Sequence, residues 1–158
     1  MRHSEKIAFF VLRLALGWLY FYAGIIKVVN PDWSAVGYLS EAKSFPGFYQ
    51  GLTTPTVLPI INFVNEWGLL LLGVSLILGL FVRLSSFLGI ILMVLYYLPI
   101  LDFPYPNPNS FIVDQHIVYI LVLALFITAK SGRIWGLDQR IVKSNFFSRF
   151  PRVGKMLS

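Results

Sequence analysis

The residues of this chain that can do chemistry are polar and charged groups set into long apolar runs. A charge in hydrocarbon costs at least ~2.5 to 3.5 kcal/mol on insertion scales, so each such group needs a partner, a wet cavity or a function. In the first run Arg13, Gly17, Tyr20, Gly24 and Lys27 recur at spacings of 4, 3, 4 and 3. That spacing places them on one helical stripe expected to face other helices. The glycines also suit plain close packing, and the long stems of Arg13 and Lys27 suit snorkelling to headgroups. Glu66 has no such stem and calls for a cation, hydrogen bonds or a bound proton, with a register-fixing ion pair as the structural alternative. Asn62 shares its face four residues earlier, and Trp67 follows it. Asp114, His116 and Tyr119 open the last apolar run, the latter two on one face.

As chemistry, Glu66 and His116 are the candidate catalytic residues, Glu66 relaying protons and His116 donating a hydrogen bond. Arg13, Tyr20, Lys27, Asn62, Trp67, Asp114 and Tyr119 are the candidate lining of a polar pocket. At 1.5 Å per residue, Lys27, Glu66, Asp114 and His116 fall in the same third of the membrane, whereas Arg13 lies about 21 Å further along its stripe. Arg13 is better placed to guard the opposite end. The chain has two histidines, His3 and His116, and no cysteine. With those histidines expected on opposite membrane faces, no haem, iron–sulfur cluster or metal is expected within it.

The elements that must position these residues follow from composition. Of 158 residues 57% are hydrophobic and 13% charged, which demands lipid as the solvent for most of the surface. Apolar runs at about 7–26, 57–82, 84–101 and 111–129 each approach the length needed to span hydrocarbon. The expected fold is an all-α integral membrane protein, a four-helix transmembrane bundle forming a single domain over 1–158. The first run is expected to remain as an anchor, since no small-residue cleavage pattern follows it. Arg2, Lys6, Arg83, Lys130, Arg133, Arg140, Lys143, Arg149, Arg152 and Lys155 fall on one side, against Lys27 and Lys43 on the other. By the positive-inside rule both termini are expected to be cytoplasmic, and the membrane is the cytoplasmic (inner) one if the source is a prokaryote. The net charge of +6 thus reports membrane orientation rather than a nucleic-acid partner.

The second and third runs form a hairpin around Arg83, with Ser85 or Ser86 as the expected cap of the third helix. The first outer loop, 28–56, is aromatic and expected to carry a short interfacial helix over 34–43, capped by Asp32 or Ser34. The second, 102–110, carries Pro104, Pro106 and Pro108 and is expected to be stiff and extended. The tail, 130–158, interleaves basic and aromatic residues, as a segment on anionic headgroups does.

The residues taken together resemble the DoxX family of small membrane proteins, which includes the DoxD subunit of thiosulfate:quinone oxidoreductase. The match rests on Arg13, Gly17, Gly24 and Lys27, on Glu66-Trp67-Gly68, and on 79–83 at the hairpin. It continues through Asp114, His116 and Tyr119 to Ser131-Gly132-Arg133 and Gly136-Leu137-Asp138. The resemblance implies a four-helix bundle and an oxidoreductase subunit that interacts with quinone, coupling oxidation of a sulfur compound to quinone reduction through a separate protein partner. A quinone site needs hydrogen-bond donors at the ring carbonyls, a proton route and apolar walls. Two other readings use the same residues: a non-catalytic scaffold or assembly subunit, alone or as a homo-oligomer, and a solute pathway, which requires a wet route between the two faces.

Overall fold

A computed structural model describes residues 1–142, and these form helices and turns without a β-strand. The apolar runs become α1 (His3–Val28), α4 (Leu58–Leu78), α5 (Val82–Ile100) and α6 (Gln115–Ala129). Of these, α1, α4 and α5 are long and apolar enough to cross a membrane. The 15 residues of α6 rise only about 22 Å, short of a hydrocarbon core of about 30 Å. Its start, later than the expected 111, has a local cause. Asp114 caps it in extended backbone, Oδ1 accepting from the N–H groups of His116 at 2.9 Å and Ile117 at 3.3 Å.

The hairpin between α4 and α5 is tight because Gly79 adopts a left-handed backbone (φ +66°) that ends α4. Phe81, also left-handed at φ +53°, then opens α5. Neither Ser85 nor Ser86 caps that helix, contrary to expectation. The cap is the Asp138 carboxylate, which accepts from the N–H of Phe81 at 2.7 Å and of Val82 at 3.1 Å. Ser85 Oγ instead pairs with Ser75 Oγ at 2.6 Å, and Ser86 is buried.

Contacts are concentrated in two pairs, α1 on α4 and α5 on α6, with lighter packing between them. Within the first pair the backbones nearly touch. A Cβ at Gly24 would fall on the backbone of Leu70, and one at Gly73 on that of Phe21. Tyr20, Leu69, Leu76, Met93, Leu123 and Phe126 fill the centre, while Trp18, Phe63, Phe87 and Leu121 point outward. Such an apolar exterior suits lipid.

The first loop folds α2 (Val36–Ser40), shorter than expected, with Ser34 Oγ accepting from the N–H of Val36 at 3.2 Å. A further helix, α3 (Pro46–Gly51), follows it. Both are fastened to the bundle. Pro99, inside α5, has no N–H to offer the Leu95 carbonyl one turn back, and the Tyr49 hydroxyl donates to that oxygen instead, at 3.2 Å. Lys43 N–H donates to the Pro99 carbonyl at 2.8 Å, and Tyr38 OH to the Tyr96 carbonyl. The second loop is not extended, as its prolines suggested. It closes two consecutive turns, bridging Asp102 to Tyr105 and Asn107 to Ser110, each opened by an Asp or Asn and carrying a proline, residue types that favour turns.

At the far end a 3₁₀ turn, Ser131–Arg133, and α7 (Asp138–Val142) fold back beneath the hairpin, Asp138 N–H donating to the Gly79 carbonyl at 2.8 Å. The basic aromatic stretch from Lys143 onward lies outside the described residues.

Candidate functional site

Polar groups gather at both ends of the two helix pairs. At the loop end α1, α4, α5 and α6 enclose a cavity of about 790 Å³, with residues of both loops on its rim. Lys27, in the last turn of α1, donates from Nζ to Asn65 Oδ1 of α4 at 2.8 Å and to the Tyr96 hydroxyl of α5 at 3.3 Å. Its ammonium also lies 4.5 Å from the centre of the Trp33 ring and 5.5 Å from that of Tyr96. An aromatic cradle of this kind offsets part of the lost hydration of the charge. The Glu66 carboxylate acts on the same ammonium electrostatically from beyond ion-pair distance.

His116 also packs on Tyr96, ring centroids 6.0 Å apart and edge to face. Its Nδ1 is 2.6 Å from Asp114 Oδ2. One carboxylate therefore caps α6 through one oxygen and fixes the imidazole through the other. With Nδ1–H donated to that carboxylate, a neutral ring carries its lone pair on Nε2, on a residue of the cavity wall. Two polar pairs, Asp114 with His116 and Asn65 with Lys27, thus meet on the Tyr96 ring and line one wall of the cavity. Among the surrounding loop residues, burial pushes the Tyr38 hydroxyl up to about 12, so it stays a donor across the physiological range.

Lys27, Asp114 and His116 line this cavity, and the other expected lining residues do not. Glu66 is half-buried one position beyond Asn65, which takes the inward place on α4. Asn62 supports the rim, accepting from the N–H of Ala35 at 3.0 Å and reaching Ser34 Oγ at 3.4 Å. Trp67 is 39% exposed and leans on Phe63 at the outer face. Tyr20 and Tyr119 meet edge to face at 5.8 Å in the core, where the Tyr20 hydroxyl finds no partner among the described residues. Tyr96, Asn65 and Trp33 were not singled out. Tyr96 is hidden in an apolar run, but Asn65 shares the spacing of Leu69, Leu72 and Leu76, and that core face was the available signal.

Arg13 belongs to the opposite end. Only 1% exposed, it donates from Nη1 to the Ser131 carbonyl at 2.6 Å. Gly79 and Gly136 leave room for its guanidinium, which a Cβ on either would strike. Burial pushes the Asp138 carboxyl up from its ordinary range, against the two N–H donors and the nearby Arg13 and Arg133 charges. This end is a clasp that ties α1, the hairpin and the segment after α6 together.

The DoxX family model matches residues 8–100. The chain belongs to the DoxX family. DoxX membership and the three long apolar helices make it an integral membrane protein. Within the DoxX match lie Arg13, Lys27, Asn65, Glu66 and Tyr96, while Asp114 and His116 lie beyond it. A relative in Bacillus subtilis (strain 168), the uncharacterized protein YitO, is 34% identical over 80 residues, or 48% of this chain and 26% of that protein. The chain thus matches about a quarter of the length of this curated relative. No solved structure matches it.

Proposed function

We propose that the chain is a membrane subunit of an oxidoreductase that binds a quinone head group in the loop-end cavity. The observation that carries this reading is that Lys27 and His116 both meet Tyr96 in the wall of a cavity of about 790 Å³. A quinone ring needs a donor at each of two opposed carbonyl oxygens, and this wall offers two nitrogen groups held by other residues. Bound there, quinone takes up two electrons and two protons to become quinol. Lys27 donates a hydrogen bond to one carbonyl; His116, after taking a proton from water on Nε2, passes it to the other oxygen while Asp114 holds its ring, and the second proton is drawn from water by the same route. Electrons enter from a partner subunit, in this reading one that oxidises a sulfur compound.

The same reading has the chain crossing the cytoplasmic (inner) membrane four times with both termini cytoplasmic. Although short, α6 starts at the loop-end cavity and leads into the turn at the clasp, which supports a fourth crossing. Arg2, Lys6, Arg83, Lys130 and Arg133 cluster with the clasp end. Between cavity and clasp stands the apolar packing of Leu69, Leu76, Met93 and Leu123, which disfavours a solute pathway. A non-catalytic scaffold is the second reading, favoured by the structural use of Arg13 and Asp138.

The test is equilibrium binding of a short-tailed benzoquinone to the full chain in lipid nanodiscs. Lys27→Met and His116→Ala are each expected to weaken binding by about tenfold, roughly one charge-assisted hydrogen bond. Unchanged affinity in both variants contradicts the assignment.

A further inference from the structure

The ammonium of Lys27 is held by neutral groups alone. They are an amide, Asn65, at 2.8 Å, a phenol, Tyr96, at 3.3 Å, and the Trp33 indole, 4.5 Å to its ring centre. Lysine is almost never taken out of water without an opposite charge beside it, because neutral dipoles replace only part of the lost hydration. Two carboxylates belong to this end of the bundle, and neither forms that pair. Glu66 follows Asn65 on α4, yet it acts on the ammonium only from beyond ion-pair distance and does not line the cavity. Asp114 does line it, but Oδ1 is taken by two backbone N–H groups of α6 and Oδ2 by His116 Nδ1. Among the described residues the ion pairs are Arg2 with Glu5 and Asp114 with His116, and Lys27 is in neither.

That the contact at Asn65 is an amide matters, because amide and carboxylate have nearly the same shape. A carboxylate in its place would seat an oxygen on the same ammonium and neutralise it. The amide fixes the position of the ammonium and leaves its charge in the cavity wall. Of the three ammonium N–H groups, Asn65 and Tyr96 accept two, and the third has no acceptor among the described residues. A fixed, half-buried cation in the wall of a cavity recognises negative charge. We infer that the loop-end cavity prefers an anionic ligand, whose negative oxygen pairs with Lys27. This rests on the head-group reading and narrows it to a quinoid ring that carries, or acquires, negative charge on the oxygen against Lys27. A ring with an ionised hydroxyl beside its carbonyl carries that charge from the start. A plain quinone acquires it when an electron from the partner subunit reaches the ring before a proton does. The ring is then reduced by one electron, and the added charge is shared between its two oxygens, one of them at Lys27.

A matched pair of probes isolates the charge: a hydroxynaphthoquinone whose hydroxyl is ionised at neutral pH, and its methyl ether, which is neutral. Each is titrated into the full chain in nanodiscs of zwitterionic lipid, against nanodiscs without protein. The unsubstituted chain is expected to bind the ionised probe about tenfold more tightly than the ether. Asn65→Asp, which sets a carboxylate on the ammonium with little change in shape, is expected to abolish that preference and leave ether binding within about threefold. Lys27→Met is expected to cost the ether about tenfold and the ionised probe about a hundredfold, which removes the preference by the other route. Retained ether binding reports an intact cavity in either variant. Equal affinity for the two probes in the unsubstituted chain, or a preference that survives both substitutions, overturns the inference. If the unsubstituted chain takes up neither probe, the head-group reading itself fails.

Discussion

Lys27 is held by three separate elements, Asn65 on α4, Tyr96 on α5 and the Trp33 ring from the loop. Glu66 acts on it only at a distance and does not line the cavity, so in the quinone reading it serves charge balance more than contact with the ligand. Glu66→Gln is therefore expected to weaken quinone binding less than Lys27→Met does, about twofold to threefold in the same titration; a loss as large as that of Lys27→Met would place Glu66 in the cavity. At the other end, Asp138→Ala leaves two backbone N–H groups of α5 without acceptors. A cost of about 1 to 3 kcal/mol is expected in thermal or denaturant unfolding, less for Asp138→Asn, which keeps one acceptor oxygen. The Asp138 carboxyl is raised by burial, so the folded state holds its proton more tightly than the unfolded chain. The contribution of this group is complete below the ordinary carboxylate range and declines as pH rises through the raised folded value, and Asp138→Asn should remove that slope. From sequence alone the placement of Lys27, Asp114 and His116 was legible, because charge in an apolar run is costly wherever the chain goes. Asp138 was not recognised as a cap because its acceptors serve a helix 56 residues away.

Among the elements, the long apolar helices were legible to within a few residues at most ends, since hydropathy sets their existence and Gly79 or Asp114 their limits. What periodicity could not supply was partnership. The hairpin suggested that α4 and α5 are close neighbours, yet each packs mainly on another helix. The α1 and α4 pair depends on small residues, and Gly73→Leu, which drives a side chain into the Phe21 backbone, is expected to abolish folded protein on size exclusion. Gly68→Ala, on the same helix but facing open space, should instead be neutral or raise the melting temperature, as expected for up to about 1 kcal/mol of relieved glycine entropy. Equal behaviour of the two variants would contradict the close helix contact at Gly73 and the open space at Gly68. The loops were least legible. Their aromatics suggested an interface-lying segment, but it is the tertiary demand of Pro99 that positions Tyr49 and so seats α3.

The whole molecule is two helix pairs fastened at both ends, by Lys27 and its neighbours at the loops and by Arg13 with Asp138 at the hairpin. The apolar packing between them separates the cavity from the clasp end, which fits a ligand site rather than a passage through the membrane. Cysteine accessibility from each face is expected to place residue 2 and residue 140 on the cytoplasmic side and residue 107 opposite. The central claim, that the loop-end cavity is a quinone site, is met most directly by native mass spectrometry of the complex gently extracted from its own membrane, with and without Lys27→Met. A retained quinone mass is expected, and Lys27→Met is expected to remove it while any protein partner stays bound. A complex that carries its partner but no quinone, or one that keeps quinone equally in the variant, would contradict it and leave the buried charges as parts of a scaffold.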